Sequence, residues 1–398
     1  MARVYLSGFE MDSLSANVEW TTAGTGQALA AGSARTGGWG LKISSLTSAT
    51  AQGVNYKFVT STSPGPFFLR TYLNIQTLPS ASNDIMAFNS TSATLGLNPQ
   101  AKITLESNGT LKLRNQAGTA IGSASAALST GTWYMIELKT DTNATAGSRV
   151  MEARLDGSVF ATSSTQSHAS PLAFTLGGNL DSEAQTTGEW WFDDVAINDN
   201  TGSFQTSYPG PGKIIQLLPN AQGDVNGFSI LTGGTAGAAN NYTRVRDVPT
   251  DGNTTSNGSN TLNAEDLFKL TASGIGSNDA VSVVAVGLRL RDDTLADAAL
   301  AVKAEIEKTA AGTIAQGSSL IIGQNNYGTN GGANPHNYTL TTYQDPDGAN
   351  WTQATLDTMQ IGYKLTATGT QNVLVTTAWA TVEYVPGGIL ELALLGVG

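Results

Sequence analysis

No cysteine occurs anywhere in the 398 residues. That excludes a disulfide framework, a thiol nucleophile and any thiolate metal site, whatever compartment the protein occupies. Histidine is nearly as scarce: His168 and His336 stand alone, so an imidazole-based triad has few ways to form, and no G-x-S-x-G elbow accompanies them. Both lie in loop-like settings, "TQSHASP" and "ANPHNYT", where a solvated ring is the ordinary reading. No H-E-x-x-H and no G-x-x-x-x-G-K-[ST] is present, which removes the zinc peptidase and nucleotide readings.

Charge is also thin, at 13% of residues, with 20 basic side chains against 31 acidic and a net charge of -11 spread along the chain. A phosphate-backbone partner is disfavoured by that balance, so no nucleic acid partner is expected. Long apolar runs are missing. The most apolar terminal stretch, "GGILELALLGVG" (387–398), falls far short of the roughly 20 residues that span a bilayer, so membrane insertion is not expected. "MARVYLSGFEMDS" at the N-terminus carries one basic residue followed by alternating, strand-like sequence, so no signal peptide is expected there. Asn89, Asn108, Asn143 and Asn337 head N-x-[ST] sequons, which a chain this rich in Asn, Ser and Thr produces by chance, and they are expected to be unmodified.

What the chain does have is glycine, 45 residues of it, beside abundant Ser, Thr, Asn and Ala. This is the usage of strand-and-turn proteins, and the length suits two cores, so the expected class is all-β with two β-sandwich domains in tandem. Short alternating segments recur through the first half: "GLKISSL", "VNYKFV", "FFLRTYLNI", "KITLES", "LKLRN", "WYMIELKTD", "VMEARLDG" and "WWFDDVAI". Asn108-Gly109 and Asp156-Gly157 supply residues that tolerate positive φ, which predicts a hairpin at each.

The Pro-Gly-Pro-Gly run near Gly210 cannot continue a ladder, and it places a linker at 208–213 between a domain at 1–207 and another at 214–386. A polar, turn-rich stretch from Gly233 to Asn260 precedes the later strand-like segments. The segment 295–312 favours a helix on propensity, but Leu300, Val302, Ala304 and Ile306 alternate with Lys303, Glu305 and Glu307, which predicts a strand. "NWTQATLDTMQ" (350–360) predicts one short helix in the second domain.

Four stretches in order, "ARTGGWGLKIS", "GTWYMIELKTD", "EARLDGSVF" and "GEWWFDDVAIND", resemble the concanavalin A-like jelly-roll domains of the laminin-G type, especially versions found in bacteriophage virion proteins. The likeness covers roughly residues 1–205. "NDAVSVVAVGLRLRDD", "YQDPDGANWTQATLDTMQIGYKL" and "ATVEYV" look like a β-rich module of phage tail and capsid-associated proteins, over about 212–386. The resemblance implies a non-enzymatic structural component of a virion, a tail, fibre or capsid-decoration subunit, made in the host cytoplasm and partnered by copies of itself and other virion proteins. The alternative it leaves open is a carbohydrate-binding adhesin that touches host surface glycans.

Jelly-roll glucanases of this superfamily place two carboxylates on one strand face in an E-x-D-x-x-E sequence to flank the scissile bond. No such sequence occurs; Glu10 with Asp12, and Glu189 with Asp193, are the nearest spacings and each lacks a third acid. No catalytic residue is therefore assigned. A structural calcium is a possible cofactor for laminin-G-type domains. Its candidate ligands are Asp193 and Asp194 in the first domain and Asp345 and Asp347, with Asn350 nearby, in the second; for "DPDGAN" a plain Asp-Pro turn is the competing reading.

Asp193 and Asp194 pose a sharper question, because they sit side by side in an apolar strand and an ideal strand puts one acid on each face. Three answers stay open: hydrogen bonds to a neighbouring loop's amides at a bulge, a bound ion, or direct ligand contact. Trp39, Trp133, Trp190 and Trp191 are candidates for stacking on sugar rings, with core packing the competing reading, and Trp190 is the choice for an exposed platform beside the two aspartates. In the tail, Ile389, Leu390, Leu392, Leu394 and Leu395 would form an exposed apolar patch on a monomer, which predicts docking on a neighbouring subunit.

Overall fold

The computed structural model describes residues 3–14, 18–24, 26–44, 51–58, 65–90, 98–180, 187–234, 237–252, 254–293, 299–321 and 340–387. His336, the sequon Asn337 and the tail residues Ile389, Leu390, Leu392, Leu394 and Leu395 lie outside the described residues. The chain is all-β and forms two compact units, one of Met1–Glu10, Leu14–Ala16 and Trp20–Pro211, the other of Met11–Ser13, Asn17–Glu19 and Gly212–Gly398.

The first unit is a jelly-roll sandwich. Its larger sheet runs in the order Ser158–Gln166, Arg149–Leu155, Trp133–Asp141, Phe67–Thr77, Glu189–Asn198, Gly40–Ser44, Gln27–Ala30, with Arg3–Ser7 added beside Glu189–Asn198. The smaller sheet runs Ala120–Ile121, Leu111–Asn115, Pro99–Leu105, Asn83–Asn89, Ala173–Gly178, Gln52–Lys57, Thr22–Ala23. Every pairing is antiparallel, and neighbours in a sheet are mostly distant in sequence. Between the sheets lies an aromatic core: Tyr5 packs against Tyr56 with ring centroids 4.1 Å apart, Phe9 stacks on Trp20 at 5.2 Å, and Phe58 stacks on Phe67 at 4.6 Å.

Both predicted hairpins form. Asp156 and Gly157 have φ 47° and 80°, the left-handed geometry that makes a two-residue turn follow the twist of its strands, and Gly109, at φ 83°, closes a longer turn, its amide donating to the Glu106 carbonyl. The outermost strand of the larger sheet, Ser158–Gln166, carries no charged residue, and Val159 stands 48% exposed on it.

The second unit is also a sandwich. One sheet is ordered Ile230–Thr232, Ser256–Ser259, Val373–Val385, Ala280–Asp292, Leu340–Thr342, with Lys213–Leu217 beside Val373–Val385. The other is ordered Pro219–Asn226, Glu265–Leu270, Gln360–Ala367, Ala301–Glu307, Ile314–Gln316, with Leu320–Ile321 beside Ala301–Glu307. The alternation read at 300–306 is realised: Leu300, Val302, Ala304 and Ile306 enter the core with Leu288, Tyr363 and Val375. The helix is Gln353–Thr358, started by Thr352, whose hydroxyl accepts from the Thr355 amide while Thr355 returns the bond to the Thr352 amide.

The polar stretch from Gly233 to Asn260 hides a strand. Ser256–Ser259 is fully buried, and a Cβ at Gly258 would press on Leu374 Cδ2 at 2.7 Å and on the Val373 carbonyl at 3.1 Å. The Asn257 side-chain nitrogen donates inside the core to the carbonyl of Asn241 and the hydroxyl of Tyr363, each at 3.0 Å.

The Pro/Gly stretch at 208–213 is more than a linker. Its first residues belong to the jelly roll: Tyr208 lies against Phe68 at 4.9 Å, donates to Glu152 Oε1 at 2.9 Å and is capped by the Arg154 guanidinium at 3.7 Å. The Gly210 carbonyl accepts from Arg70 at 3.0 Å. One aromatic ring gives this turn-rich segment the apolar contact that its prolines and glycines lack, so it straps across the sheet.

Candidate functional site

Cross-strand partners in an antiparallel sheet point to the same face. Trp190 pairs with Ile75 and Phe192 with Leu73, all fully buried, and Trp190 Nε1 donates to the Gly177 carbonyl of the opposite sheet at 2.9 Å. Trp190 is therefore core. The choice of Trp190 as an exposed platform is corrected: its ring faces the second sheet and its one polar atom is already used.

Asp193 lies on the opposite face, across from Tyr72. Register slips between Asp193 and Ala196 by one extra residue, and Asp194 takes φ 51° at that bulge. The bulge resets the parity, so Ile197 returns to the core opposite Leu69, and Asp194 escapes the ideal alternation.

Both acids are completely buried. Asp193 Oδ2 accepts the backbone amides of Arg35 at 2.6 Å and Thr36 at 2.9 Å, while Oδ1 accepts that of Asp194 at 2.7 Å. Asp194 pairs with the Arg35 guanidinium and accepts from the Thr36 hydroxyl at 3.0 Å. The Asp194 carbonyl receives two bonds from Arg70, at 3.1 and 2.9 Å. Burial and the neighbouring Asp194 push the Asp193 carboxyl well above the usual carboxylate range, against the pull of the three amides.

The same loop is held from its other end. Glu10 accepts the amides of Gly38, at 3.0 and 2.8 Å, and of Trp39, at 3.1 Å. Gly37, at φ 68°, leaves the room that Glu10 occupies, where any Cβ would collide with its carboxylate. Three acids from two strand regions thus fix residues 35–39, and the motifs "ARTGGWG" and "EWWFDDVAIND" are two halves of one structure.

That geometry corrects the ligand and metal assignments for Asp193 and Asp194. Neither is accessible, and the N–H groups and guanidinium around them present positive ends where a cation would have to sit. At Asp345 and Asp347 the Lys308 ammonium lies between the carboxylates, at 2.8 and 2.7 Å, and Asp345 Oδ1 accepts the amides of Asp347 and Ala349 at 3.0 Å each. The Asp-Pro turn reading holds there, with a lysine in the cation's place. Among the described residues, no group of three or more His, Asp or Glu side chains is placed to hold a metal ion.

Sequence reasoning undervalued a different row. Trp133 and Trp191 both pair with Asn74 from its two sides, on the solvent-facing side of the larger sheet, and both are half-buried. The Trp191 indole donates to Glu189 at 2.9 Å, Glu189 pairs with Lys42 at 2.8 Å, and Asn74 Oδ1 accepts from Gln76 at 2.7 Å. Two indoles one strand apart on each side of a carboxamide, edged by an ion pair, offer apolar faces beside hydroxyl-binding groups. At the other end of this face the Tyr208 strap covers Arg70 and Glu137, and the Arg35 guanidinium lies 3.4 Å over the Tyr72 ring between them.

Two depressions open elsewhere on the jelly roll. One of about 440 Å³ is lined by Ser82, Asp84, Lys102, Thr104 and Arg114 on the smaller sheet, but its charges are internally matched, Lys102 to Asp84 and Arg114 to Glu106. The other, of about 240 Å³, surrounds His168.

No protein-family model matches the chain, and no curated protein matches it. Among solved structures it is similar to the cellulose-induced protein Cip1, at 16% identity and TM-score 0.34 over 49% of this chain and 92% of that one. It is also similar to a Trypanosoma rangeli sialidase, at 13% identity and TM-score 0.31, over 40% of this chain but only 25% of the sialidase. A third is the receptor-binding domain of botulinum neurotoxin type G, at 8% identity and TM-score 0.31 over 65% of this chain and 71% of that one. No residue role is carried over from any of them.

Proposed function

We propose that this chain is a non-enzymatic structural protein of a bacteriophage particle, a tail, fibre or capsid-decoration subunit that assembles with copies of itself and with other virion proteins. The observation that carries the reading is the acid-locked loop. Glu10, Asp193 and Asp194, the acids nearest to a catalytic spacing, are all committed to holding residues 35–39, so their chemistry is architectural. The order of sequence motifs supports the virion assignment, and the apolar sequence at 387–398 suits assembly with a neighbouring subunit.

Light scattering on the full chain and on a variant ending at Pro386 tests it. A defined oligomer that dissociates on truncation supports assembly through the tail. A monomer in both cases, or truncated protein that enters particles as the full chain does, overturns it.

A second reading, host-glycan adhesion, is favoured by the Trp133–Asn74–Trp191 row. Trp133→Ala and Trp191→Ala should each abolish binding on a glycan array, and undiminished binding by both variants would sink this reading.

A further inference from the structure

His168 is 2% exposed, with Nε2 bonded to the Thr140 hydroxyl at 2.6 Å, so the solvated ring expected from the sequence is not realised. Two indoles on the larger sheet differ, because they reach its surface. Trp190 enters the core, so Trp191 lies on the opposite face, and the strand register carries that face sideways: Trp133 pairs with Asn74, Asn74 with Trp191, Trp191 with Lys42 and Lys42 with Ala28. Five strands thus contribute one position each to a single row that runs across them.

Trp133, Trp191 and Lys42 are half-buried and Ala28 is exposed, whereas Asn74 is only 3% exposed. The larger rings on either side shade the small carboxamide, so the outer surface of the row is aromatic at one end and open towards Ala28 at the other. The Trp191 indole is tethered: Nε1 donates to Glu189, two residues back on the same face, and Glu189 pairs in turn with Lys42. A ring held in place before a ligand arrives loses little freedom on binding.

One long side of the row is walled. Asp193, two residues beyond Trp191 on the same face, accepts the amides of Arg35 and Thr36, so the acid-locked loop stands over the sheet there. On the other side Gln76 and Glu189, both half-buried, offer a carboxamide and a carboxylate to hydroxyl groups.

The spacing selects the ligand. Neighbouring strands lie about 4.8 Å apart, so the two tryptophans are set about 10 Å apart along the row. That separation exceeds one pyranose ring and matches the two-ring repeat of an extended β-1,4-linked chain, in which alternate rings turn the same face to one side. An α-1,4-linked chain coils and loses that register. The net charge of -11 opposes a polyanionic chain, and Lys42, the basic side chain of the row, is matched to Glu189.

We propose that this row binds a linear chain of neutral β-1,4-linked pyranoses laid across the strands, with alternate rings stacked on Trp133 and Trp191 and residues 35–39 as a fixed wall. The inference rests on the adhesion reading and names the ligand class of that site.

Full-length protein is titrated by calorimetry with the di- and tetrasaccharides of the β-1,4-glucose and β-1,4-N-acetylglucosamine series, and with maltose and maltotetraose as the coiled control. A disaccharide reaches one indole and a tetrasaccharide reaches both, so in at least one β-1,4 series the tetrasaccharide should bind at least about tenfold more tightly. Maltotetraose should show no such gain over maltose. Trp133→Ala and Trp191→Ala should each reduce the tetrasaccharide to the affinity of the disaccharide, too weak for an array to retain, while Trp133→Tyr and Trp191→Tyr, which keep a ring face, should preserve most of the gain.

Equal affinity for both lengths in both β-1,4 series, an equal gain with maltotetraose, or a gain that survives either alanine substitution overturns the proposal. The length series needs the native chain alone, so it decides even where a variant fails to fold. Tryptophan-dependent array binding of some other glycan, with no gain in either β-1,4 series, overturns the ligand class while leaving adhesion standing, and absence of all glycan binding by the native chain overturns both.

Discussion

Each domain buries a pair of carboxylic acids, and the aspartate pair of the first and the glutamate pair of the second are held by different means. In the jelly roll, Asp193 and Asp194 are surrounded by donors: three backbone amides, a hydroxyl and a guanidinium. In the second domain, Asp266 and Asp345 are likewise held by donors, but Glu305 and Glu307 face other acids. Glu305, fully buried, has one oxygen bonded to Gln316 at 2.6 Å and the other unpaired, with Glu265 as its neighbour and Lys364 reaching Glu265 at 2.8 Å. Glu307 faces Asp224 and Glu265 and accepts from Gln360 at 2.9 Å and from the Gly312 amide at 3.1 Å. Burial, then the neighbouring acids, pushes both Glu305 and Glu307 up to about 7. Donors allow a buried acid to organise a loop, whereas acid neighbours make it depend on a proton.

The comparison breaks most visibly at Asp193. Asp193→Ala leaves the amides of Arg35 and Thr36 buried and unpaired, and should cost about 3 kcal/mol, read from the urea unfolding of the jelly roll. A loss under about 1 kcal/mol would mean that the loop holds itself and the donors are incidental.

Next in size is the effect of pH. Glu305 and Glu307 have folded values above the ordinary 4.5, so between about 4.5 and 7 the folded state holds protons that the unfolded state has released. Stability of the second domain should therefore fall as pH rises through that window and level off above it. Glu305→Gln/Glu307→Gln should flatten the profile and, at pH 8, raise the urea midpoint. A midpoint lowered at pH 8 would show that these acids are held by donors after all.

The smallest effect should come from Lys364→Gln, which removes the cation beside Glu265 at the edge of this cluster. It should cost about 0.5 kcal/mol and move the pH transition upward, since Glu305 would lose an attracting charge. An unchanged transition would mean that Glu305 does not sense Lys364.

Much of this was legible before any coordinates. "WYMIELKTD" is the strand Trp133–Asp141 to the residue, and Asn108-Gly109 and Asp156-Gly157 make the turns their chemistry requires. Those segments announce themselves because one face is apolar and the other is not. Asn83–Asn89, Ala173–Gly178 and Ser256–Ser259 were silent for the converse reason: both faces are buried, with Asn55 and Asn89 each donating to the Thr175 hydroxyl on the outer side of the smaller sheet. Of the three open answers for the aspartate pair, amide bonding at a bulge is the one realised. What the sequence could not give was its partner, since Arg35 and Thr36 lie 158 residues from Asp193 and Asp194. Trp190 misled because a bulge two residues beyond Phe192 takes Asp194 off the face that an ideal strand would share with the indole.

The outermost strand of the jelly roll, Ser158–Gln166, bears on how the protein must be handled. A charge-free edge of nine residues presents a row of backbone donors and acceptors with neither lysine nor proline to turn away an incoming strand. Bulges opposite it, between Arg149 and Met151 and between Ala153 and Arg154, twist the ribbon and are its one visible protection. Fibrillar association is accordingly the failure to watch for in concentrated or warmed stocks, and this edge is where it should begin. Ser164→Lys, on an exposed position of the strand, should delay it as followed by thioflavin fluorescence, turning a question of shelf life into one of a single side chain.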